Sequence, residues 1–171
     1  MRLDSSIGPH ATRVALVVNE ANVEASVPAG ESLLHFLRRR VGLTGPKEAC
    51  GRGECGACTV LIDEVSVMSC VMLASQVRGP VTTIEGLATR ADDLREEFAN
   101  CYGFQCGYCT PGQIVRAEAV LSKAKALDRT TVAEAMSGNI CRCTGYAQIV
   151  DAVLSTATKR GIVVDPDEAS T

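Results

Sequence analysis

The stretch from Cys50 to Ile62 reads CGRGECGACTVLI. Its first nine residues hold three cysteines and three glycines. Thiols this close together cannot all pair with one another, and glycine this dense does not sustain a helix. The stretch therefore reads as a loop whose cysteines bind something and whose backbone must turn sharply around it. The apolar run Thr59-Val-Leu-Ile62 that follows has strand character.

The spacing is Cys50-x4-Cys55-x2-Cys58, with Cys70 after eleven more residues. This is the plant-type [2Fe–2S] pattern. A two-iron core needs four thiolates around a wide anionic centre, so the loop must wrap it rather than cross it once. Gly51, Gly53 and Gly56 let backbone N–H groups turn inward and offset the negative charge. Cys70, from another element, closes the cage. Four thiolates also suit tetrahedral zinc, but zinc sites come as paired short knuckles and match this spacing less well. Gly51-Arg-Gly-Glu-Cys-Gly56 formally satisfies G-x-G-x-x-G. A dinucleotide site needs a strand before it and a helix after it, and here a strand follows.

The chain around this loop has 171 residues, 46% hydrophobic and 22% charged, with a net charge of -3. Nothing in that balance calls for nucleic acid or a membrane surface. Arg38-Arg39-Arg40 is the one basic cluster and reads as a solvated helix end. No signal peptide, paired-arginine export signal or spanning apolar run is present, and a cytoplasmic protein is expected. Nine cysteines in that compartment point to metal binding rather than a disulfide scaffold.

Before the loop, Val14–Val18 and Val23–Val27 flank a polar turn over Asn19–Asn22 and predict a hairpin. Glu31–Val41 carries Leu33, Leu34, Phe36, Leu37 and Val41 at helical spacing, with Gly42 as its stop. Val65–Val71 and Pro80–Ile84 are further strand candidates. Together these predict a small α+β sheet with one helix on one face. Beyond Gly86 the pattern turns helical. Helices are expected over Asp92–Asn100, from Pro111 to about Ala126, from a capping box at Thr131-Val-Ala-Glu134 to Gly138-Asn139, and over Ala147–Thr158. The expected organisation is a sheet domain over residues 12–87 and an all-α domain over residues 88–161. Residues 1–11 and 162–171 are expected to be flexible tails.

The helical half has cysteines of its own, Cys106-Gly-Tyr-Cys109 and, after thirty-one intervening residues, Cys141-Arg-Cys143. Two such pairs can converge as one four-thiolate site, and the helix N-terminus at Thr110-Pro111-Gly112 would favour an anionic cluster. Spacing alone leaves zinc open here. Cys101-x4-Cys106-x2-Cys109 repeats the first spacing, so spacing alone would also admit Cys101. It reads better as a small buried thiol beside a helix end. His10 and His35 read as a tail residue and a helix residue.

Taken together, CGRGECGACTV, FQCGYCTPGQI and NICRCTGY resemble the small iron–sulfur subunit, or N-terminal segment, of the molybdenum hydroxylases. That family includes xanthine dehydrogenase, aldehyde oxidoreductase, carbon monoxide dehydrogenase and nicotine dehydrogenase. The resemblance runs from about Val14 to Arg160. Ala49 departs from it, standing before Cys50 where relatives often have glycine; this touches loop detail and no ligand.

The resemblance implies a β-grasp, plant-ferredoxin-like domain followed by a four-helix bundle, each holding one [2Fe–2S] cluster. The implied ligands are Cys50, Cys55, Cys58 and Cys70 for the first, and Cys106, Cys109, Cys141 and Cys143 for the second. This lowers the standing of zinc at the second site and leaves Cys101 out. The family pattern also sets Gln105 and Cys143 against a pterin. Partner subunits are implied to carry molybdenum–molybdopterin, expected as the cytosine dinucleotide, and FAD, in a dimer of heterotrimers. The implied function is electron transfer from molybdenum through two clusters to FAD or another acceptor, during hydroxylation of an aldehyde or N-heterocyclic substrate. A free-standing two-cluster ferredoxin shuttle is the alternative. No substrate chemistry is expected on this chain, which has no nucleophile elbow, no phosphate loop and only two histidines.

Overall fold

The structure is a computed structural model and describes residues 11–165. Strands β1 (Ala11–Val18) and β2 (Ala21–Pro28) form the antiparallel hairpin, pairing Val18 with Ala21 and Ala11 with Pro28. The turn is therefore Asn19-Glu20 alone, tighter than the expected four residues. Both turn residues have positive φ, 48° and 67°, the combination that matches a two-residue loop to the strand twist. Asn19 fixes this turn from outside the hairpin: its Oδ1 accepts from the Thr83 N–H at 2.9 Å, and its Nδ2 donates to Thr83 Oγ1 at 3.0 Å.

The next helix starts two residues later than its periodicity predicts, because Ser32 caps it by accepting the His35 N–H at 3.2 Å. α1 (Leu33–His35) then widens into a π-type turn over Phe36–Val41 and stops at Gly42, φ 84°. Strands β3 (Thr59–Ile62), β4 (Val65–Met68) and β5 (Val81–Thr82) complete a five-stranded sheet in the order β2-β1-β5-β3-β4. Only the β1–β5 pairing is parallel. The last two strands are shorter than expected. After β4 the Ser69 hydroxyl folds back onto the Cys58 carbonyl at 2.7 Å. Pro80 lacks an N–H for the ladder, and Asn19 takes that of Thr83.

In β1 the buried residues are Val14, Leu16 and Val18, the period-two face expected of a strand covered on one side. They pack with Val27, Leu33, Phe36, Leu37, Val60 and Val81 as the sheet-half core. The other face of β3 is covered too: Leu61 belongs to the core of the helical half, with Leu94, Phe98, Val115 and Val153. A strand buried on both faces reads as an unbroken apolar run rather than an alternating one. That explains Thr59-Val-Leu-Ile62.

The helical half holds α2 (Asp92–Asn100), α3 (Thr110–Leu121), α4 (Arg129–Met136) and α5 (Ala147–Lys159). α2 keeps its expected bounds, and α5 runs one residue further. α3 ends earlier than expected, and Ala126–Leu127 becomes β6, paired in parallel with β7 (Val163–Val164). This corrects two expectations: the second half is not purely helical, and the tail does not begin at residue 162. Likewise Ala11, expected in a tail, lies in β1. The tail expectations for 1–10 and 166–171 lie outside the described residues. α4 is capped by Asp128, which accepts the Thr131 N–H at 2.7 Å, so the expected Thr131 capping box is not used. Aspartate is the stronger N-cap, and it begins the helix three residues earlier.

Buried charges join the halves. Glu118 lies between Arg90 (3.2 Å) and Arg160 (2.9 Å), Arg160 also binds Asp93, and Arg90 reaches Glu64 in the β3–β4 turn at 2.8 Å. Under α5, Glu97 bonds Lys159, Ser155 and Asn100, which together hold its carboxyl down to about 2. No helix among the described residues is long and apolar enough to cross a membrane.

At one point the halves meet backbone to backbone. A Cβ on Gly112, in the first turn of α3, would stand 2.3 Å from the Gly56 carbonyl oxygen. A methyl group there must push two main chains apart, and overpacking of this kind typically costs about 1–3 kcal/mol. Gly112→Ala is therefore expected to lower stability by at least that amount. Gly30→Ala, where a Cβ meets nothing within 4 Å, is expected to change little. Parallel denaturant melts check the contrast.

Candidate metal centres

The loop from Ala49 to Cys58 has no helix or strand, and Gly51, Gly53 and Gly56 all take positive φ of 65–78°. That geometry aims main-chain donors at sulfur: the N–H groups of Arg52 and Glu54 lie 3.5 and 3.4 Å from Cys50 Sγ. These two donors favour the thiolate and bring Cys50 down to about 6, with a further contribution from Cys55. Across the cage, burial pushes Cys70 up to about 11, reinforced by the neighbouring Cys58 and Cys50. Ser69, fully buried, ties the Cys70 turn to Cys58 by its hydroxyl. The four thiols thus form one set made of two pairs, Cys50 with Cys55 and Cys58 with Cys70.

The second set has the same plan. Cys106 and Cys109 lead directly into α3, while Cys141 and Cys143 lie between α4 and α5. Cys143 Sγ is 3.7 Å from Cys106 Sγ, and both residues are exposed. Cys109 and Cys141 form the inner pair. Burial pushes Cys109 up to about 12, and the adjoining Cys141 adds to the rise. Burial also works to raise Cys141, but the Thr144 hydroxyl and nearby N–H groups outweigh it and leave that thiol lowered.

This donor chemistry fits a two-iron core. Each iron of such a core takes two thiolates, and the eight thiols fall into four adjacent pairs. Among the described residues, no three or more His, Cys, Asp or Glu side chains converge for a single metal ion. Cys101 stands apart. It ends α2, donates its N–H to the Glu97 carbonyl at 2.9 Å and packs on the helical core. Burial raises its thiol, and the neighbouring charges are Glu97, Asp151 and Lys159 rather than any thiol. The His35 ring faces Glu48 at 3.2 Å, and His10 lies outside the described residues. Gln105 is exposed and donates its Nε2 to the Cys143 carbonyl at 3.0 Å. The two residues expected against a pterin therefore share one surface.

The sets are linked through their loops. The Ile140 N–H, one residue before Cys141, donates to the Cys55 carbonyl at 2.9 Å. Buried Asn139 donates to the Gly56 carbonyl (3.0 Å) and to Thr59 Oγ1 (3.2 Å), and its own carbonyl accepts from Gln113 at 2.7 Å. Tyr108 closes the far side by donating to the Glu48 carbonyl at 2.6 Å. In the sequence Asn139 reads only as part of a helix stop, and Ile140 and Gln113 carry no reading of their own. They stand inside TPGQI and NICRC, but only the cysteines and glycines there carry a recognisable spacing.

Residues 16–91 match the 2Fe-2S iron-sulfur cluster binding domain, and residues 83–154 match the [2Fe-2S] binding domain. The chain is 42% identical to the nicotine 6-hydroxylase small subunit of Paenarthrobacter nicotinovorans over 84% of its own length and 88% of that protein's. It is 39% identical to aldehyde oxidase 2 of Mus musculus over 78% of its length, but spans only 11% of that much longer protein. Its fold superposes on a chain of quinoline 2-oxidoreductase from Pseudomonas putida 86 with a TM-score of 0.81 and 38% identity, covering 90% of this chain and 99% of that one. With two [2Fe–2S] binding domains in this order, the chain belongs to the small iron–sulfur subunits of the molybdenum hydroxylase family.

Proposed function

We propose that this chain carries electrons from a molybdenum–pterin centre on a large partner subunit to FAD on a medium partner subunit, or to another acceptor. In this reading Cys106, Cys109, Cys141 and Cys143 hold one [2Fe–2S] cluster in a four-helix domain. Cys50, Cys55, Cys58 and Cys70 hold the other in a β-grasp domain. When bound, each cluster accepts and releases one electron at a time, which lets a two-electron hydroxylation at molybdenum drain in single steps. The substrate of the assembled enzyme is proposed to be an aldehyde or an N-heterocycle. That chemistry belongs to the partner, expected to carry molybdopterin cytosine dinucleotide, in a cytoplasmic dimer of heterotrimers.

The observation that carries this reading is the polarity of the helical set. Its outer pair, Cys106 and Cys143, is exposed beside Gln105, while its inner pair is backed by the hydrogen bond from Ile140 to Cys55. Electrons entering at Gln105 and Cys143 have a short covalent and hydrogen-bonded route inward to the first loop. They leave past exposed Gly51, Arg52 and Glu54. Tyr102, Phe104, Tyr108, Ile140 and Tyr146, which flank the cysteines of the helical set in sequence, are all exposed large hydrophobics. Exposed apolar side chains of this kind favour a standing partner over the free ferredoxin shuttle.

Three experiments test the assignment. The native protein is expected to contain four irons and four labile sulfides per chain. Cys101→Ser should keep both EPR signals and Cys106→Ser should lose one. Stoichiometric zinc, or loss of a cluster in the Cys101 variant, would overturn the ligand set. Gln105→Ala removes the amide from the proposed pterin contact, where a buried partner is worth ~1–3 kcal/mol. Substrate-driven cluster reduction should slow by roughly tenfold or more with metal content unchanged. An unchanged rate would make Gln105 a plain surface residue.

A further inference from the structure

Residues 141–146 close a circuit of three hydrogen bonds. The Cys141 N–H donates to Tyr146 Oη at 3.1 Å, the Tyr146 N–H donates to Thr144 Oγ1 at 3.3 Å, and the Thr144 hydroxyl donates to Cys141 Sγ at 3.2 Å. The Tyr146 N–H holds the Thr144 hydroxyl in place while leaving its single hydrogen uncommitted. A ligand thiolate has no proton to give, so in the Thr144–Cys141 contact the hydroxyl is the donor. The segment holds this circuit in a strained form: Tyr146 has φ 74°, a conformation that residues with a Cβ rarely adopt. Strain of this sort persists only where surrounding contacts over-determine it. Here Tyr146 is fixed at both its N–H and its ring hydroxyl.

The other thiol set is served differently. Cys50 is reached by the backbone N–H groups of Arg52 and Glu54, whereas Cys141 has, besides nearby backbone N–H groups, a side-chain hydroxyl aimed at it. Hydrogen bonds to ligand sulfurs are one of the protein's levers on cluster potential. A donor that draws charge from a thiolate stabilises the more negative, reduced state.

We propose that Thr144, oriented by Tyr146, is a tuning residue that raises the reduction potential of the cluster held by the helical set, so that it takes electrons more readily. This rests on the reading of Cys141 as a ligand. No electron or proton moves onto Thr144; its hydroxyl stays a donor in both redox states.

The test is an EPR-monitored redox titration of the purified complex carrying Thr144→Val, Thr144→Ala or Thr144→Ser. Val and Ala should shift the midpoint of the helical-half cluster to more negative potential. At a fixed solution potential the reduced-to-oxidised ratio should fall by on the order of fivefold, the weight of one ordinary hydrogen bond. The other cluster should not move, and Ser should titrate like the native protein. Unmoved midpoints in Val and Ala overturn the proposal, as does a Ser variant that shifts like Val. Loss of the cluster in both Val and Ala also overturns it, because the hydroxyl is then needed for assembly rather than tuning. Cys141→Ser separates the two levels: a retained helical-half signal refutes Cys141 as ligand, whereas a lost signal with unmoved Thr144 midpoints refutes only the tuning.

Discussion

The contact on which the rest of this molecule depends is the meeting of the first turn of α3 with the carbonyl of Gly56. Only glycine fits on either side. Gly112 would drive a Cβ to 2.3 Å from that oxygen, and Gly56 would drive one to 2.6 Å from Asn139 while already holding φ 69°. Because the backbones touch, the buried Asn139 amide can reach across to Gly56 and Thr59, and the Ile140 N–H can reach Cys55. The seam sets the Cys50–Cys58 loop of the sheet half against the Cys141–Cys143 segment of the helical half. The doubly buried β3, the Glu64–Arg90–Glu118–Arg160 ion chain and the Tyr108 hydroxyl on Glu48 brace the same junction from three sides.

Burial gives the arrangement a direction. Cys141 is buried and Cys109 half-buried, whereas Cys106 and Cys143 lie open, with Gln105 bonded to the Cys143 carbonyl. The first loop also has an open edge at Gly51, Arg52 and Glu54. Two open edges with a closed seam between them suit a chain proposed to stand between two partners.

Much of this was legible in the residues. The β1–β2 hairpin and the helices α2 and α5 follow from apolar runs and turn signals, and cysteine spacing, with the family resemblance, names the thiols that the structure sets in adjacent pairs. The misreadings share a cause, namely local patterns overridden by distant partners. Thr131-Val-Ala-Glu134 has the form of a capping box, but Asp128 captures the Thr131 N–H first. Residues 163–164 look like tail, yet Ala126–Leu127 offers them a strand to pair with. The strand over 80–84 ends early because Asn19, sixty-four residues away, takes the Thr83 N–H. The seam was hidden for the same reason. Asn139 and Gln113 are ordinary polar residues until folding sets them, buried, against Gly56.

The central claim is that electrons pass in series, helical-half cluster first and sheet-half cluster second. The most direct test is a Cys55→Ser variant that still assembles with its partners, mixed with substrate and followed by freeze-quench EPR together with flavin absorbance. The account predicts that the helical-half cluster is reduced at the native rate while the flavin stays oxidised. Flavin reduction at the native rate in that variant would contradict it.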